Sequence, residues 1–244
     1  MAHYCATLLG AGATCIRLTK NVDRIARAYG KRVEITIMPR HVHLSVLDPA
    51  DEEIVTIVEP VPPSPISFNV NTGLSLLSWQ VADDGLPLEE AKRRFDAIVG
   101  SDRQSRWLVL FLAAAANSSF CRLFGGDLIA MGVVFVATAA GYYLKQELLK
   151  NHIDVRVIFM ICSFLSAVIA ASDGLFGLGS TPQIAMGTSV LYLVPGIPFL
   201  NSFSDMLYRH YICAFSRFVD ALILTCCLSI GLCAGMSLMH IGMF

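Results

Sequence analysis

A Pro-Gly-x-Pro sequence interrupts the longest uncharged stretch of this chain. Pro195 and Pro198 flank Gly196 within residues 174–204, which hold no Lys, Arg, Asp or Glu. Proline removes a backbone N–H donor and disfavours helix in the residue before it, so this spacing predicts a helix broken in two. At membrane depth a broken helix persists only inside protein or beside a water-filled cavity, and transporters use such breaks to bind ions. The segment therefore predicts part of a path for a small solute, with a proline kink or a short re-entrant turn as the alternative.

Polar side chains follow the break at helical spacing. Asn201 and Asp205 are four residues apart, so they share one face of the second half-helix. An ionisable group in a spanning segment is costly and indicates a functional role. We expect Asp205 to carry a proton or to pair with Arg217 on the next helix. The alternative is that Asp205 lies at the membrane surface beside Arg209.

Two further carboxylates stand near segment ends. Asp127 follows Gly125 and Gly126 and starts an apolar window, where it is predicted to cap a helix or to receive protons from outside. Asp220 lies three residues after Arg217, which predicts a local ion pair on one helix.

The composition of the chain narrows the possible function classes. Of 244 residues, 55% are hydrophobic and 15% are charged, and the net charge is −1. Soluble globular chains carry about 25% charged residues, so a soluble enzyme is disfavoured. A disordered chain and a nucleic-acid-binding protein are excluded by the same numbers, since the first needs low hydrophobicity and the second a basic excess.

Charged residues are unevenly distributed between two parts of the chain. Residues 1–100 hold 22 of them, and residues 101–244 hold only 15. We therefore predict a cytoplasmic α/β (or α+β) domain over residues 1–103 and an α-helical polytopic membrane domain over residues 104–244.

Five uncharged windows after residue 106 predict five transmembrane helices, one of them broken. A spanning helix needs about 20 mainly apolar residues, and flanking Arg and Lys side chains extend the shorter windows towards the interface. An odd count of five is small for a transporter built from paired repeats, so we predict homo- or hetero-oligomerisation. The windows are residues 107–121, 128–144, 157–172, 174–204 and 221–244.

Loop charges predict the orientation in the bilayer. The loops on one predicted side hold ten Lys or Arg residues, whereas those on the other side hold only Arg122. Cytoplasmic loops carry the basic excess, so the N-terminal domain is expected in the cytoplasm and the C-terminus outside. The start MAHYCATLLGAG lacks the basic residues of a secretory signal peptide, in agreement with this orientation. The ten residues are Lys92, Arg93, Arg94, Arg103, Arg106, Lys145, Lys150, Arg156, Arg209 and Arg217.

Helical and strand patterns divide the N-terminal part. One helix is predicted over residues 3–29, and its Gly10 and Gly12 indicate close approach of another backbone. Strands, a proline-rich loop and two helices are expected after it. Their predicted ranges are 33–38, 41–47 and 53–58 for the strands, 60–65 for the loop, and 72–82 and 88–99 for the helices.

Catalytic signals in the N-terminal part are weak. His41 and His43 share one face of a strand and suit a metal, but no third ligand accompanies them, and exposed histidines are the alternative. His43, Ser45 and Asp48 are residue types of a hydrolase triad, yet no GxSxG sequence is present. No P-loop occurs, and the eight cysteines form no CxxC pair. We therefore predict no catalytic site, no metal and no cofactor, with free thiols in a reducing compartment.

Three stretches of the chain resemble the threonine/serine exporter family of bacteria. They are LLGAGATCIRLTKNVDRIARAYG, RWLVLFLAAAANSSFCRLFGGD and STPQIAMGTSVLYLVPGIPFLNSFSDM, and the likeness covers about residues 5–240. The PGxPxxNxxxD pattern is the specific part. Within the family the chain is most similar to the larger subunits of two-component succinate exporters.

The resemblance implies an inner-membrane exporter of a small metabolite, either a hydroxy amino acid or a dicarboxylate such as succinate. Single-chain members have about ten spans, so the resemblance implies a separate partner subunit of about four spans for this chain. By motif match, Pro195, Gly196, Pro198, Asn201 and Asp205 belong to the family pattern. Arg217 matches a basic position at the start of the last span, whereas His41 and His43 match nothing.

The sequence therefore predicts a multi-pass subunit of a secondary exporter in the bacterial inner membrane, driven by an ion gradient, with protons as the expected ion. A substrate or ion path would include Asp127 together with the broken segment and its polar residues. Two alternatives stay open. One is a membrane-anchored hydrolase with a catalytic N-terminal domain, and the other is a membrane scaffold whose N-terminal domain senses a ligand.

Overall fold

The computed structural model describes residues 1–47, 53–101, 104–177 and 179–239, so Asp48 and Arg103 lie outside the described residues. Helices dominate the chain, and its strands follow one another between the second and third helices. A short 3-10 turn, Leu191–Leu193, follows α8. In chain order the elements are α1 (Ala2–Gly10), α2 (Cys15–Ala28), β1 (Arg32–Ile37), β2 (His41–Leu47), β3 (Glu53–Pro60), α3 (Phe68–Asp83), α4 (Leu88–Val99), α5 (Arg106–Leu123), α6 (Leu128–Lys150), α7 (Val155–Phe176), α8 (Pro182–Ser189), α9 (Gly196–Leu207) and α10 (Tyr211–Leu238).

The chain forms two compact units. Unit 1 consists of Met1–Asp102 together with Gly196–Asp220, and unit 2 consists of Arg103–Pro195 together with Ala221–Phe244. One change of unit falls between residues 102 and 103, and the others follow residues 195 and 220. The sequence did not reveal that α9 and the first turns of α10 would pack with the N-terminal elements, because their composition is that of a membrane segment.

A small antiparallel sheet forms part of unit 1, with strand order β1-β2-β3. In β2 the side chains of Val42 and Leu44 are buried, whereas His41 and His43 on the opposite face are exposed. This alternation is typical of a sheet with one face on a core and one in solvent. The predicted strands are confirmed, and since each pairs with its neighbour in sequence, the unit is α+β.

The core of unit 1 lies between that sheet and its helices. Large apolar side chains of α1, α2 and α3 pack on the buried face of β2. Each such side chain stabilises the fold by about 1.5–3 kcal/mol when it is fully removed from water. The largest of them are Leu8, Leu18, Val22, Val42, Leu44, Leu74 and Val81.

The single helix predicted over residues 3–29 is wrong, because the chain turns between α1 and α2. Gly12 has φ of 90°, a conformation that ends a right-handed helix and that glycine adopts most easily. Thr14 then caps α2 by accepting a hydrogen bond from the Arg17 amide at 3.4 Å. The expected close approach at Gly10 is confirmed, since an added Cβ would lie 3.1 Å from the Pro62 carbonyl oxygen.

Two other predicted boundaries shift. The helix predicted over residues 72–82 starts earlier, at Phe68, because the Ser67 hydroxyl caps it. Pro60, assigned to the loop, is the last residue of β3, where a missing N–H is tolerated. The helix predicted over residues 88–99 is confirmed.

Three helices among the described residues are long and apolar enough to cross a membrane, namely α6, α7 and α10. A fourth span results if α8 and α9, separated by a break, are taken together. The window at 107–121 forms α5, but Arg106 and Arg122 near its ends and Asn117 within it lower its mean hydropathy. Of the five predicted spans, three are therefore supported, or four if α8 and α9 together form one span.

Small residues and interhelical hydrogen bonds hold the helices of unit 2 together. The Asn117 amide of α5 donates to the Thr138 hydroxyl of α6 at 2.6 Å and to the Thr188 carbonyl of α8 at 3.0 Å. Gly231 and Gly235 let α10 approach α7 so closely that a Cβ at Gly235 would lie 2.7 Å from the Ala167 Cβ. Both devices are typical of helix packing in membranes.

Candidate functional site

The Pro-Gly-x-Pro sequence breaks the helix as predicted. Helical structure stops after Leu193, and Val194 adopts the extended ψ of 124° that a following proline favours. Helix α9 begins at Gly196, so Pro198 lies in its first turn, where the N–H groups have no intrahelical partner and proline is tolerated. The break is therefore made at Val194 and Pro195, and Pro198 starts the next helix rather than ending one.

Helix α9 carries Asp205 to a position inside unit 1 that has no solvent exposure. One carboxylate oxygen accepts a hydrogen bond from the Cys15 amide at 2.8 Å. The other oxygen accepts from Arg217 Nη1 at 2.8 Å and from the Cys15 thiol at 3.4 Å. The expected pairing of Asp205 with Arg217 is thus present, whereas the alternative of a surface position beside Arg209 is wrong.

The carboxylate of Asp205 occupies an anion site built by helix α2. Cys15 is the first residue of α2, and the amides of a helix N-terminus point outwards and attract negative charge. Arg217, whose side chain is 20% exposed, adds a positive charge on the other side. A carboxylate held by a backbone amide and a guanidinium makes charge-assisted hydrogen bonds, which are about twice as strong as neutral ones.

Two more side chains bind the turn between α1 and α2. Asn201 Nδ2 donates to the Gly12 carbonyl at 2.8 Å, and Arg217 Nη2 donates to the Ala13 carbonyl at 2.8 Å. We call Asn201, Asp205 and Arg217, with the backbone of residues 12–15, the Asp205 cluster. Each of the three side chains is hydrogen-bonded within the cluster, so in this structure none of them is available to another molecule.

The turn between α9 and α10 sets the position of Arg217. The Ser202 hydroxyl donates to the Ala214 carbonyl at 2.7 Å, and the His210 amide donates to the Asp205 carbonyl at 2.8 Å. Arg217 therefore faces back towards α9. The local ion pair predicted between Arg217 and Asp220 is wrong, because the guanidinium is used by Asp205 and Ala13, and Asp220 is exposed.

The Cys15 thiol is held in its protonated form. Its neighbour Cys213, burial, and the Asp205 carboxylate all raise the pKa of Cys15. A protonated thiol donates to the carboxylate, which agrees with the short distance between them.

Asp127 belongs to unit 2 and caps α6, as one of its two predicted roles required. Its Oδ1 accepts from the Ala130 amide at 2.7 Å, and its Oδ2 accepts from the amide and hydroxyl of Ser180 at 2.6 and 2.9 Å. These hydrogen bonds lower the pKa of Asp127, with that from Ala130 having the largest effect. Asp127 is therefore an ionised residue at neutral pH.

The backbone partners of the Asp205 cluster were missed from the sequence. Residues 12–15 were assigned to the middle of a helix, where their carbonyl and amide groups would already be paired. The two glycines at positions 10 and 12 were the available signal, since they indicated that another part of the chain approaches there.

The strand residues considered for catalysis lie on the exposed face of the sheet. The Ser45 hydroxyl is 2.6 Å from the Thr56 hydroxyl and shares a hydrogen bond with it. His41 and His43 are exposed, and the described residues contain no group of three or more His, Cys, Asp or Glu that could hold a metal ion.

Residues 1–239 match the family model described as threonine/serine exporter. The chain belongs to the threonine/serine exporter family. The resemblance stated from the three sequence stretches is thereby confirmed, and it extends over both units.

Relatives of this chain are named as transporters. It is 28% identical over 233 residues to the "probable succinate transporter subunit YjjP" of Klebsiella aerogenes, covering 95% of this chain and 89% of that one. The protein of the same name in Escherichia coli is 28% identical over 229 residues, covering 92% and 87%. A "probable threonine/serine exporter" of Mycobacterium tuberculosis is 22% identical over 231 residues, covering 92% of this chain but only 43% of that relative. No solved structure matches the chain.

Proposed function

We propose that the chain is one subunit of a secondary exporter in the bacterial inner membrane. It moves a small carboxylate metabolite outward, either a dicarboxylate such as succinate or the amino acids threonine and serine, in exchange for protons. The observation that carries the proposal is the match to an exporter family over residues 1–239 by a chain with three to four candidate spans.

A separate membrane subunit of about four spans completes the exporter. Two relatives that align over nearly their whole length carry the word subunit in their names, which supports an assembly with a partner. Transporters commonly combine two related halves and move one against the other, and we assign one half to each chain.

The N-terminal residues lie in the cytoplasm and the last span ends outside. This orientation follows from the ten Lys and Arg residues on one side of the proposed spans against Arg122 on the other. A lone basic residue outside and a basic excess inside favour this arrangement for multi-pass proteins of the inner membrane.

The Asp205 cluster is the proposed carboxylate-recognising part of the path. Asp205 places a carboxylate between Arg217 and the Cys15 amide, and a substrate carboxylate has the same hydrogen-bonding requirements. When α9 moves away, the guanidinium and the N-terminus of α2 become available to substrate. Helical structure stops at Leu193 and starts again at Gly196, so α9 is a separate helix and can move as one.

Proton coupling is proposed for the outward step. The chain has no P-loop, so a gradient rather than ATP bound by this subunit supplies the energy. Rigid-body movement of this subunit against its partner then gives alternating access.

The test is efflux from cells that co-express this chain with a four-span family partner from the same genome. Cells are loaded with succinate or with threonine, and efflux is followed with and without an uncoupler. Efflux should require both chains and should stop when the uncoupler is added. Efflux no faster than from cells with an empty vector, for both metabolites, would overturn the proposal.

A matched pair of variants separates the path from general damage. Asp205→Asn is expected to abolish efflux while the chain still inserts into the membrane. Asp220→Asn changes an exposed carboxylate on α10 and should leave efflux as in the wild type. Normal efflux by Asp205→Asn would remove Asp205 from the path without removing the exporter function.

A further inference from the structure

Asp173 of α7 is a buried carboxylate that has no hydrogen-bond partner among the described residues. Its side chain has no solvent exposure, and neither carboxylate oxygen has a hydrogen-bond partner among the described residues. Taking an ionised carboxylate out of water without compensation costs several kcal/mol, so such a group is neutralised or is bound by a cation. Ionisable groups inside spanning helices are therefore associated with function.

A second carboxylate borders the same space. A Cβ added at Gly179 would lie 2.8 Å from Asp173 Oδ1 and 2.9 Å from Asp127 Oδ2. The same point beside Gly179 therefore lies within 3 Å of both carboxylates, and a side chain at position 179 would occupy the space next to them. This glycine keeps the space between the two acids open.

The two acids differ in what surrounds them. Asp127 accepts three hydrogen bonds, from Ala130 and twice from Ser180, and these stabilise its charge. Asp173 accepts none in the described parts of the chain, so its charged form has nothing to replace water. Of the two carboxylates, Asp173 is therefore the one whose charge no hydrogen bond from the described residues compensates.

The described parts of the neighbouring elements offer Asp173 no cation. Arg122 of α5 points at the turn before α6, where its Nη1 donates to the Gly126 carbonyl at 3.1 Å. In the segment leading into α8, the Ser180 hydroxyl donates to the Asp127 carboxylate. The Thr181 hydroxyl accepts a hydrogen bond from the Asp127 amide. Helices α6, α8 and α10 contribute apolar side chains around Ala170 and Ala171, which lie about one turn before Asp173. No ion pair to Asp173 is formed within residues 104–177 and 179–239.

A proton fits this site better than a metal ion. Hard cations such as Ca²⁺ take six to eight oxygen ligands, whereas a proton needs a single carboxylate oxygen. The described residues contain no group of three or more His, Cys, Asp or Glu that could hold a metal.

We propose that Asp173 is the residue at which the exporter takes up a proton, with the ionised Asp127 beside it. The proposal rests on the exporter function and orientation given above. In that orientation α7 runs outwards, and Asp173 lies three residues before its end at Phe176. A proton from outside neutralises the carboxylate, and the same proton leaves it when the site opens to the cytoplasm.

The first test separates gradient-driven transport from exchange. Wild type and Asp173→Asn are reconstituted with the partner subunit in liposomes, with labelled succinate and threonine as the probes. In the variant, flux driven by a pH gradient should fall by about tenfold or more, the usual size of a coupling between two sites, while exchange of internal for external substrate continues. Asp220→Asn is the control and should resemble the wild type in both assays.

Each other outcome of this assay has one meaning. Gradient-driven flux in Asp173→Asn equal to that of the wild type overturns the proposal for Asp173 while leaving the exporter function intact. If a correctly folded Asp173→Asn variant loses exchange as well as gradient-driven flux, the proposal is also overturned. Asp173 would then be needed for transport in general and not specifically for proton uptake. A wild-type complex that moves neither metabolite refutes the exporter function, and the second test still decides on Asp173.

The second test uses the wild-type chain in membranes and needs no transport. Dicyclohexylcarbodiimide reacts with protonated carboxyl groups in apolar surroundings: the acid O–H adds across one C=N bond, and the acylisourea rearranges to a stable acylurea. Mass spectrometry should find this label on Asp173, decreasing as the pH rises, and not on the exposed Asp220. Absence of label at Asp173 from about pH 5 to pH 9 would contradict protonation there.

Discussion

Arg217 and Asp205 form a buried ion pair whose two members should not be equally important for stability. Asp205 has no exposed surface, whereas the Arg217 side chain is 20% exposed. Asp205→Asn leaves a guanidinium that still reaches water and still donates to the Ala13 carbonyl. Arg217→Gln instead leaves a fully buried carboxylate whose remaining hydrogen bonds within the described residues come from the Cys15 amide and thiol.

The expected costs follow from this asymmetry. Removing one member of a buried pair costs about 3–5 kcal/mol, because the other charge stays in a poor solvent. We expect about 4 kcal/mol for Arg217→Gln and about 2 kcal/mol for Asp205→Asn, the second being reduced by solvation of Arg217. The double variant leaves no unpaired charge, so it should cost about 1–3 kcal/mol less than the sum of the single variants.

Thermal unfolding of the purified chain in detergent measures these differences. For a chain of this size, each kcal/mol lowers the unfolding temperature by about 2–4 °C. Arg217→Gln should therefore unfold about 8–16 °C below the wild type, and Asp205→Asn about 4–8 °C below it. Membrane fractionation of the same cells shows whether each variant is inserted.

Three results would refute the reasoning about this pair. The first is unchanged unfolding temperatures for both single variants. The second is a larger loss for Asp205→Asn than for Arg217→Gln, which would mean that Asp205 acts through something other than its charge. The third is strict additivity in the double variant, which would mean that the two side chains do not interact.

Further expectations concern the backbone, the pH dependence and the exposed histidines. Gly12→Ala should destabilise the chain more than Gly30→Ala in thermal unfolding, because both have positive φ but only Gly12 lacks space for a Cβ. Since the pKa of Asp127 is lowered, its stabilising effect exists above the ordinary aspartate pKa and is lost as the pH falls. The loss of unfolding temperature caused by Asp127→Ala should therefore be larger at neutral than at acidic pH, and a constant difference would contradict this. Replacing His41 and His43 by Ala should leave efflux unchanged, and a loss would favour a catalytic or sensing role of this strand.

Patterns with strong local causes were predictable. The break at Pro195 depends on a missing N–H and a steric restriction on Val194, which are properties of two neighbouring residues. The cap at Asp127 likewise needs only a carboxylate just before a helix. The strand at residues 41–47 was recognisable because buried Val42 and Leu44 alternate with the exposed histidines.

Long apolar windows were predictable as helices, but not whether each one crosses a membrane. Helix α5 has an apolar middle with Arg106 and Arg122 close to its ends, so its sequence lies between that of a span and that of a packed helix. Length and composition alone do not decide between them.

The interruption between α1 and α2 was missed for an energetic reason. Glycine lowers helix propensity by only about 1 kcal/mol, which is too little to break a helix without help from tertiary contacts. Ile66 supplies that help, since a carbon of its side chain lies only 2.9 Å from the position that a Cβ of residue 12 would take.

The sequence by itself determined the family, the apolar segments, the broken helix and the identity of the residues Asn201, Asp205 and Arg217, because each is written in residue types and short spacings. Only the tertiary structure decided that Asp205 would bind the N-terminus of α2 some 190 positions earlier in the chain. It also decided that Asp173 would be buried with no hydrogen-bond partner among the described residues. The physical reason is that charge burial and hydrogen-bond satisfaction depend on groups brought together by folding, and no local pattern in a single chain specifies which groups those are.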